Sequence, residues 1–462
     1  MEHVHLIGIG GSGLSAIARI LLERGMVVSG SDRQPSAATK SLQAVGARVF
    51  IGHHPENIQG ASVVVRSSAI PDDNVEVLAA VQQGIPVLKR SEFMGRLLNG
   101  YKVLAVAGTH GKTTTTAMLS WSLTQLGQDP SYIIGGVSLD LGTNAHAGKG
   151  SYFVIEADEY DRMFLGLKPD IAVVTNIEHD HPDCFPTPDD FYQAFRAFAD
   201  QLIPQGILLA CSDDPGARRL AAEILTDGHD VRSYGLNHWA NLDGPDYAAR
   251  DLEINSLGGF SFDVVRMGNP SPVARVSLQV PGRHNVSNAL AVLAVIDSLS
   301  LPLDQAAKAL GRYSGSERRF DVRGESHGVT VIDDYAHHPS EIRATLAAAR
   351  SRYPERSIWA VWQPHTYSRT RSLLNDFATS FIDAEQVIVT DIYAAREDPP
   401  ANGFSSRDVV EALKHPRAHY IPDLAHTADF LLKRLQPEAV VLVLSAGDAN
   451  RLSEMILHRI GS

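Results

Sequence analysis

Apolar residues fall along this chain in short runs, each followed by a segment of helical spacing, and the alternation recurs from end to end. Val4 to Gly8 is an apolar run closing on a glycine-rich turn, with helical spacing over Leu14 to Arg24. Val103 to Ala107 repeats the arrangement ahead of Gly108-Thr109-His110-Gly111-Lys112-Thr113. Val329 to Ile332 repeats it again, ahead of a helix predicted over Ser340 to Arg352. Strand, polar turn and amphipathic helix in this order is the pattern of α/β domains with parallel sheets. Further buried strands are predicted at Tyr152 to Ile155, Ile171 to Val174 and Ile207 to Leu209, then at Ile358 to Trp362, Val387 to Thr390 and Val440 to Leu444. From about Asp227 to Pro281 the character changes. Short alternating runs such as Phe260 to Val265 and Ala274 to Val280, broken by Gly and Pro, predict an antiparallel insert. Helix returns at Val286 to Leu299.

Composition narrows the class. The chain has 462 residues, which at about 150 residues per domain suggests three domains. It is 44% apolar and 20% charged, the balance of a soluble globular protein. No run approaches the ~18 apolar residues of a membrane span. The N-terminal stretch carries Glu2, His3 and His5 without a basic region, so secretion is not expected. Cys184 and Cys211 are too few for a disulfide framework and fit a reducing cytoplasm. A net charge of −12 argues against nucleic acid or an anionic membrane as the main partner. Small anionic substrates remain, since a few local cations and backbone amides suffice for them.

Gly8-Ile9-Gly10-Gly11-Ser12-Gly13 follows the first strand, and Asp32 sits about 20 residues on, as in a dinucleotide fingerprint. Glycines there let the backbone approach a pyrophosphate at a helix N-terminus. A nicotinamide cofactor of an oxidoreductase, another pyrophosphate-bearing molecule and a plain turn all fit the motif alone. Gly108 to Thr113 is more specific. A glycine loop after a buried strand, ending in Gly-Lys-Thr at a helix start, cradles the phosphates of a nucleoside triphosphate. Lys112 would neutralise the terminal phosphates and Thr113 would ligate Mg²⁺. Val106 stands where the strict pattern has glycine, so the loop is a shortened one.

Glu156-Ala157-Asp158-Glu159 and Asn176-Ile177-Glu178-His179-Asp180-His181 end the next strands, on the side where α/β ligands gather. Singly each reads as a solvated loop; beside a phosphate loop they are candidates to complete a Mg²⁺ site. Zinc is disfavoured, because Cys184 is the only nearby thiol. Arg283-His284-Asn285 with Asn288 opens a helix as an adenine reader or a plain cap. Asp333-Asp334-Tyr335-Ala336-His337-His338 and Gln363-Pro364-His365-Thr366-Tyr367-Ser368-Arg369 are polar clusters at strand ends, and Arg369 suits a carboxylate or phosphate.

These motifs, in this order, together with Asp391-Ile392-Tyr393-Ala394-Ala395-Arg396-Glu397, resemble the Mur ligase family over essentially the whole chain. The resemblance implies a Rossmann-like UDP-sugar domain at residues 1–99, a central ATP-binding phosphate-loop domain with a small antiparallel insert at 100–316, and a Rossmann-like amino-acid domain at 317–462. It implies an enzyme that joins L-alanine to the lactyl carboxylate of UDP-N-acetylmuramate through an acyl phosphate, with ATP and Mg²⁺, for which Mn²⁺ can substitute. Gly10, Gly11, Ser12, Gly13 and Asp32 would hold the UDP moiety, with Ser67 and Ser68 as candidates for the uracil pocket. Gly108, Thr109, His110, Gly111, Lys112, Thr113 and Thr114 would bind ATP, with His284 and Asn288 at adenine, Asp334 at the ribose and Arg319 at the γ-phosphate. Thr113, Glu156 and His181 would hold the metal; Tyr335, His337, His365 and Arg369 would line the amino-acid and muramyl side. Lys112, His181, His337 and Arg369 carry the expected catalytic roles, in a monomer or homodimer. Two positions depart from the pattern. Tyr160 stands where an alanine-adding member commonly has Ser, and is shared with the recycling ligase that attaches a whole peptide. Thr366 lies where many relatives carry Arg.

Overall fold

The computed structural model describes residues 2–236 and 244–461; residues 237–243 of the expected insert lie outside the described residues. The first sheet has five parallel strands in the order Arg48–Ile51, Val27–Asp32, His3–Ile7, Val63–Arg66 and Val87–Lys89. The chain starts in the middle strand and builds outward on both sides. That reversal of direction opens a crevice at the carboxyl end of His3–Ile7, where the first glycine loop sits. Val4, Leu6 and Ile7 are all fully buried, as expected of a strand covered on both faces.

A second set of parallel strands runs Asp230–Gly235, Ile207–Cys211, Ile171–Val174, Lys102–Ala107, Tyr152–Glu156 and Ser131–Ile133. Ala145–His146 adds a short antiparallel edge to the last. Asp230–Gly235 falls inside the stretch expected to be antiparallel, yet it pairs parallel with Ile207–Cys211. It carries no apolar run to mark it as a covered strand, because only Tyr234 and Gly235 at its end are buried. The antiparallel hairpin itself is Phe260–Arg266 with Asn269–Ser277. The second of these strands begins earlier than its apolar run, and Pro272 is accommodated on the outer strand, where no ladder donor is required.

The third sheet is ordered Asp321–Ser326, Val329–Asp334, Ala439–Ser445, Ser357–Gln363, Gln386–Val389 and Ala418–Tyr420. Only the first pairing is antiparallel. Its core packs Ile332, Leu346, Trp362, Phe377, Phe381 and Leu442. The edge strands Asp321–Ser326 and Ala418–Tyr420 are not marked by apolar runs, since both are largely polar or half-exposed. The three segments expected from the sequence distribute over two compact units. One comprises Met1–His179, Thr187–Tyr247 and Ala291–Ala306; the other comprises Asp180–Pro186, Ala248–Leu290 and Ala307–Ser462. No helix among the described residues is long and apolar enough to cross a membrane.

Candidate active site

In the first unit, buried strand Lys102–Ala107 delivers the chain into the phosphate loop, and helix Lys112–Gln125 leads out of it. Gly111 is left-handed at φ 81°, and Gly108 takes φ 138° against Thr175, whose hydroxyl would lie 1.9 Å from an added Cβ. Both positions therefore require glycine. The loop is braced by residues 175 to 178. Thr109 N donates to Asn176 O at 3.0 Å, His110 N to Asn176 Oδ1 at 2.8 Å, and Thr109 Oγ1 to Glu178 O at 2.8 Å. His110 Nε2 lies 3.1 Å from Glu178 Oε2. Thr114 is half-buried in the first turn of the helix.

Lys112 Nζ donates to Gly108 O, to Thr109 O and, at 2.9 Å, to Glu159 Oε1. Burial would depress this lysine, but the carboxylates of Glu159, Glu156 and Asp158 outweigh it and push its pKa up. It is a firmly held cation. Thr113 Oγ1 donates to Glu156 Oε1 at 3.1 Å, and the other oxygen of Glu156 accepts from Gly135 N at 2.7 Å. A hydroxyl and a carboxylate converging beside a phosphate loop form the hard oxygen set that Mg²⁺ takes, so these two residues fit the ion. His181 does not join them in that unit; it belongs to the second, in the segment Asp180–Pro186. Glu159, which completes the salt bridge of Lys112, was not legible as its partner from the sequence.

The first glycine loop, in the same unit, is tied to the next strand. Gly8 N and Ile9 N donate to Ser31 O at 2.8 and 3.1 Å, and Gly10 N donates to Asp32 Oδ2 at 2.9 Å. Asp32, expected to read the ligand, thus braces the loop. Ser67 lies against Gly8, 3.2 Å from where a Cβ would be, and Ser68 is exposed beside it. Arg90 is a cation that no motif marked. Its Nη1 would lie 1.9 Å from a Cβ on Gly13, and its Nη2 pairs with Asp158 at 3.3 Å.

In the second unit, the loops after Val329–Asp334 and Ser357–Gln363 bring Asp334, Tyr335, His337, His365 and Arg369 together. Arg369 donates through both Nε and Nη2 to Asp180 Oδ1, at 2.9 and 2.8 Å, and through Nη1 to His365 Nδ1 at 3.0 Å. The guanidinium edge expected to hold a substrate carboxylate is filled by Asp180. Burial would raise the carboxyl of Asp180, yet Arg369 and the histidines 181, 337 and 338 hold it well below the usual carboxylate range. Thr366, at φ 61°, is strained for a β-branched residue. It caps the helix that carries Arg369 by accepting from the Arg369 amide.

Two histidines here have determined tautomers. His337 Nδ1 lies 2.9 Å from Tyr335 O, which only accepts, so Nδ1 carries the proton. His365 Nδ1 faces a guanidinium, which only donates, so its proton is on Nε2. Burial pushes His337 down to about 3 and His365 to about 4, and both are neutral near pH 7. Their rings sit 5.8 Å apart, and Tyr393 stacks on His365 at 5.7 Å. Glu397, also unmarked as a site residue, accepts from the Ser368 amide at 2.9 Å.

Asp334 accepts from the amides of Phe320 and Ala336, at 2.8 and 2.7 Å, and burial pushes it up to about 6. The guanidinium of Arg319 lies 5.1 Å from the centre of the Tyr335 ring and 3.6 Å from Glu341. Asn288 Nδ2 donates to Asn285 Oδ1 at 3.1 Å, and His284 is exposed on the same turn.

Comparison with known proteins places this arrangement. The family model described as "Mur ligase family, catalytic domain" matches residues 3–102, "Mur ligase middle domain" matches 106–296, and "Mur ligase, glutamate ligase domain" matches 318–447. The chain is similar to a UDP-N-acetylmuramate–L-alanine ligase of Roseiflexus castenholzii, at 42% identity over 99% of this chain and 98% of that one. The crystal structure of a UDP-N-acetylmuramate-alanine ligase from Thermotoga maritima superposes with a TM-score of 0.82 at 27% identity, covering 99% of both chains. A murein peptide ligase from Psychrobacter arcticus gives a TM-score of 0.70 at 24% identity over 100% of this chain and 99% of its own, a likeness of fold. With three consecutive family domains matched and a relative at 42% identity over almost its full length, the chain belongs to the Mur ligase family.

Proposed function

We propose that the protein joins L-alanine to the lactyl carboxylate of UDP-N-acetylmuramate, with ATP converted to ADP and phosphate, in the synthesis of peptidoglycan precursors in the cytoplasm. The observation that carries this reading is the near full-length likeness to ligases named for that reaction. A carboxylate is a poor electrophile, so the γ-phosphoryl group of ATP is transferred to it first. The alanine amine then attacks the acyl phosphate, and the tetrahedral adduct expels phosphate.

Two anions must meet in the first step. Lys112 and the loop amides offset their repulsion and stabilise the charge that develops on the transferred group. Thr113 and Glu156 would hold Mg²⁺, which when bound would supply further neutralisation of the phosphates. Asn288, Asp334 and Arg319 would serve the nucleotide. The first glycine loop, Ser67 and Arg90 would serve the UDP sugar. Tyr335, His337 and His365 would line the amino-acid side, with Arg369 acting through Asp180 and His365. His337, neutral with an open Nε2, is placed to accept a hydrogen bond from the attacking amine.

Tyr160 keeps a second reading in view, a recycling ligase that adds a whole peptide. A phosphate-release assay with UDP-N-acetylmuramate and either L-alanine or a diaminopimelate-containing tripeptide separates the two. Faster turnover with L-alanine is expected. Faster turnover with the tripeptide would overturn the named acceptor, and turnover with neither would overturn the ligase reading.

A further inference from the structure

A buried carboxylate lies beneath the first glycine loop, outside every motif described above. Glu76, on helix Val75–Gln82, is fully buried. Its Oε2 accepts from the Ser31 hydroxyl at 2.6 Å and from His5 Nε2 at 3.2 Å. Its Oε1 accepts from Asn57 Nδ2 at 2.6 Å and from the His54 amide at 3.2 Å. Ser31 donates to Glu76 and so accepts from His53 Nδ1, 2.9 Å away; His5 donates through Nε2, and its Nδ1 lies 2.8 Å from the Ser29 hydroxyl. Burial would raise the Glu76 carboxyl, but the hydrogen bonds from His5, Ser31 and Asn57 outweigh it and hold it below its ordinary value.

Ser31 works in two directions. Its side chain is bonded to Glu76, while its carbonyl accepts from Gly8 N and Ile9 N. Its neighbour Asp32 takes the Gly10 amide and, through its own carbonyl, the Gly52 amide at 2.8 Å. Asn57 closes the circuit by donating to Gly52 O at 3.1 Å as well as to Glu76. Every amide from Gly8 to Gly10 is therefore tied to residue 31 or 32, and those residues are tied to one buried charge.

We propose that Glu76 is a positioning residue for the first glycine loop, setting through Ser31 the backbone geometry in which the loop and the first-turn amides of helix Ser12–Glu23 receive the diphosphate of the sugar nucleotide. This rests on the UDP-sugar reading of that loop. Four donors satisfy the buried charge where it stands.

The test compares wild type with Glu76→Gln, Ser31→Ala and the double variant in the full chain. Amide hydrogen exchange over residues 8–10 should rise about tenfold in each single variant, with the helix Lys112–Gln125 unaffected. Calorimetric affinity for UDP-N-acetylmuramate, without ATP or amino acid, should fall about tenfold, while the KM values for ATP and L-alanine stay within about twofold. The double variant should be no weaker than the worse single one, since both cut one relay. Unchanged loop exchange and affinity in both single variants would overturn the proposal. So would additive losses, or a loss shared equally among all three substrates. Should Glu76→Gln fail to fold, Ser31→Ala reads the same relay. Loop exchange that responds in a chain whose wild type does not bind the UDP sugar would overturn the ligand reading and leave the positioning role intact.

Discussion

Asp180 and Arg369, 189 residues apart in the sequence, form a buried ion pair in which one carboxylate oxygen takes both Nε–H and Nη2–H of the guanidinium. The side chains are only 6% and 7% exposed, so neither charge has water to fall back on. Removing one partner leaves the other buried and uncompensated. Asp180→Ala should destabilise the protein by about 3–5 kcal/mol, read by urea unfolding. An exposed pair would cost under about 1 kcal/mol, and a loss that small would show the pair to be water-accessible in solution.

Lys112 is held at the end of the phosphate loop by Glu159 and two loop carbonyls. Lys112→Ala should reduce turnover by at least ~10²–10³, the usual effect of removing one preorganised transition-state donor. Calorimetric affinity for the UDP sugar should be nearly unchanged. Turnover like that of wild type would remove Lys112 from the chemistry.

The pairing of Thr113 with Glu156 at 3.1 Å makes a specific claim about metal. Glu156→Gln should raise the Mg²⁺ concentration giving half-maximal activity by about tenfold or more, because one anionic oxygen ligand becomes neutral. EDTA should abolish activity, and Mg²⁺ or Mn²⁺ should restore it. Activity that survives EDTA, with zinc found in stoichiometric amount, would contradict the assignment.

Asp333 is nearly fully buried and accepts from Ser453, yet burial pushes its pKa up to about 6. A carboxyl raised on folding binds its proton more tightly in the native state. Its contribution to stability is present at low pH and is lost as pH rises from about 4 to 6. Asp333→Asn should remove that loss, raising stability at pH 8 by about 2–3 kcal/mol relative to wild type after both are referenced to pH 4. Parallel stability profiles for the two proteins would mean that Asp333 titrates normally.

The two tautomers are open to nitrogen NMR on histidine-labelled protein. His337 should show its proton on Nδ1 and His365 on Nε2, with assignment by loss of each signal in His337→Gln and His365→Gln. The first is the informative one, because Nδ1–H is the less favoured form of a free imidazole and needs the Tyr335 carbonyl to hold it. An Nε2 proton on His337 would leave it unable to accept from an amine there.

Much of this was legible in the sequence, for identifiable reasons. The phosphate loop is a local device, written in consecutive residues from Gly108 to Thr113, and so is the run of buried strands that positions it. The parallel sheets announce themselves because strands covered on both faces are continuously apolar, as Lys102–Ala107 is after its first residue. What stayed hidden depends on distance. Asp180 sits in an acidic string that reads as a metal loop, and nothing near it in sequence points to Arg369. Glu76 lies in a short helix of otherwise ordinary pattern, where a glutamate reads as a surface charge; its four donors are scattered between residues 5 and 57. Asp230–Gly235 misled because, buried only at its end, it carries no apolar run to mark a parallel strand.

The polar strand Asp321–Ser326 has a consequence for how this chain can be cut. It forms one edge of the third sheet, pairs antiparallel with Val329–Asp334, and shields one side of that strand, every residue of which is buried. A fragment starting at Val329 would display that buried strand with its N–H and C=O groups open to any passing chain, an invitation to aggregate during expression. One starting a dozen residues earlier would carry its own cover, in a strand whose charged residues discourage further pairing. Six unassuming residues thus decide where the carboxyl-terminal portion can be separated without turning a core strand into an adhesive edge.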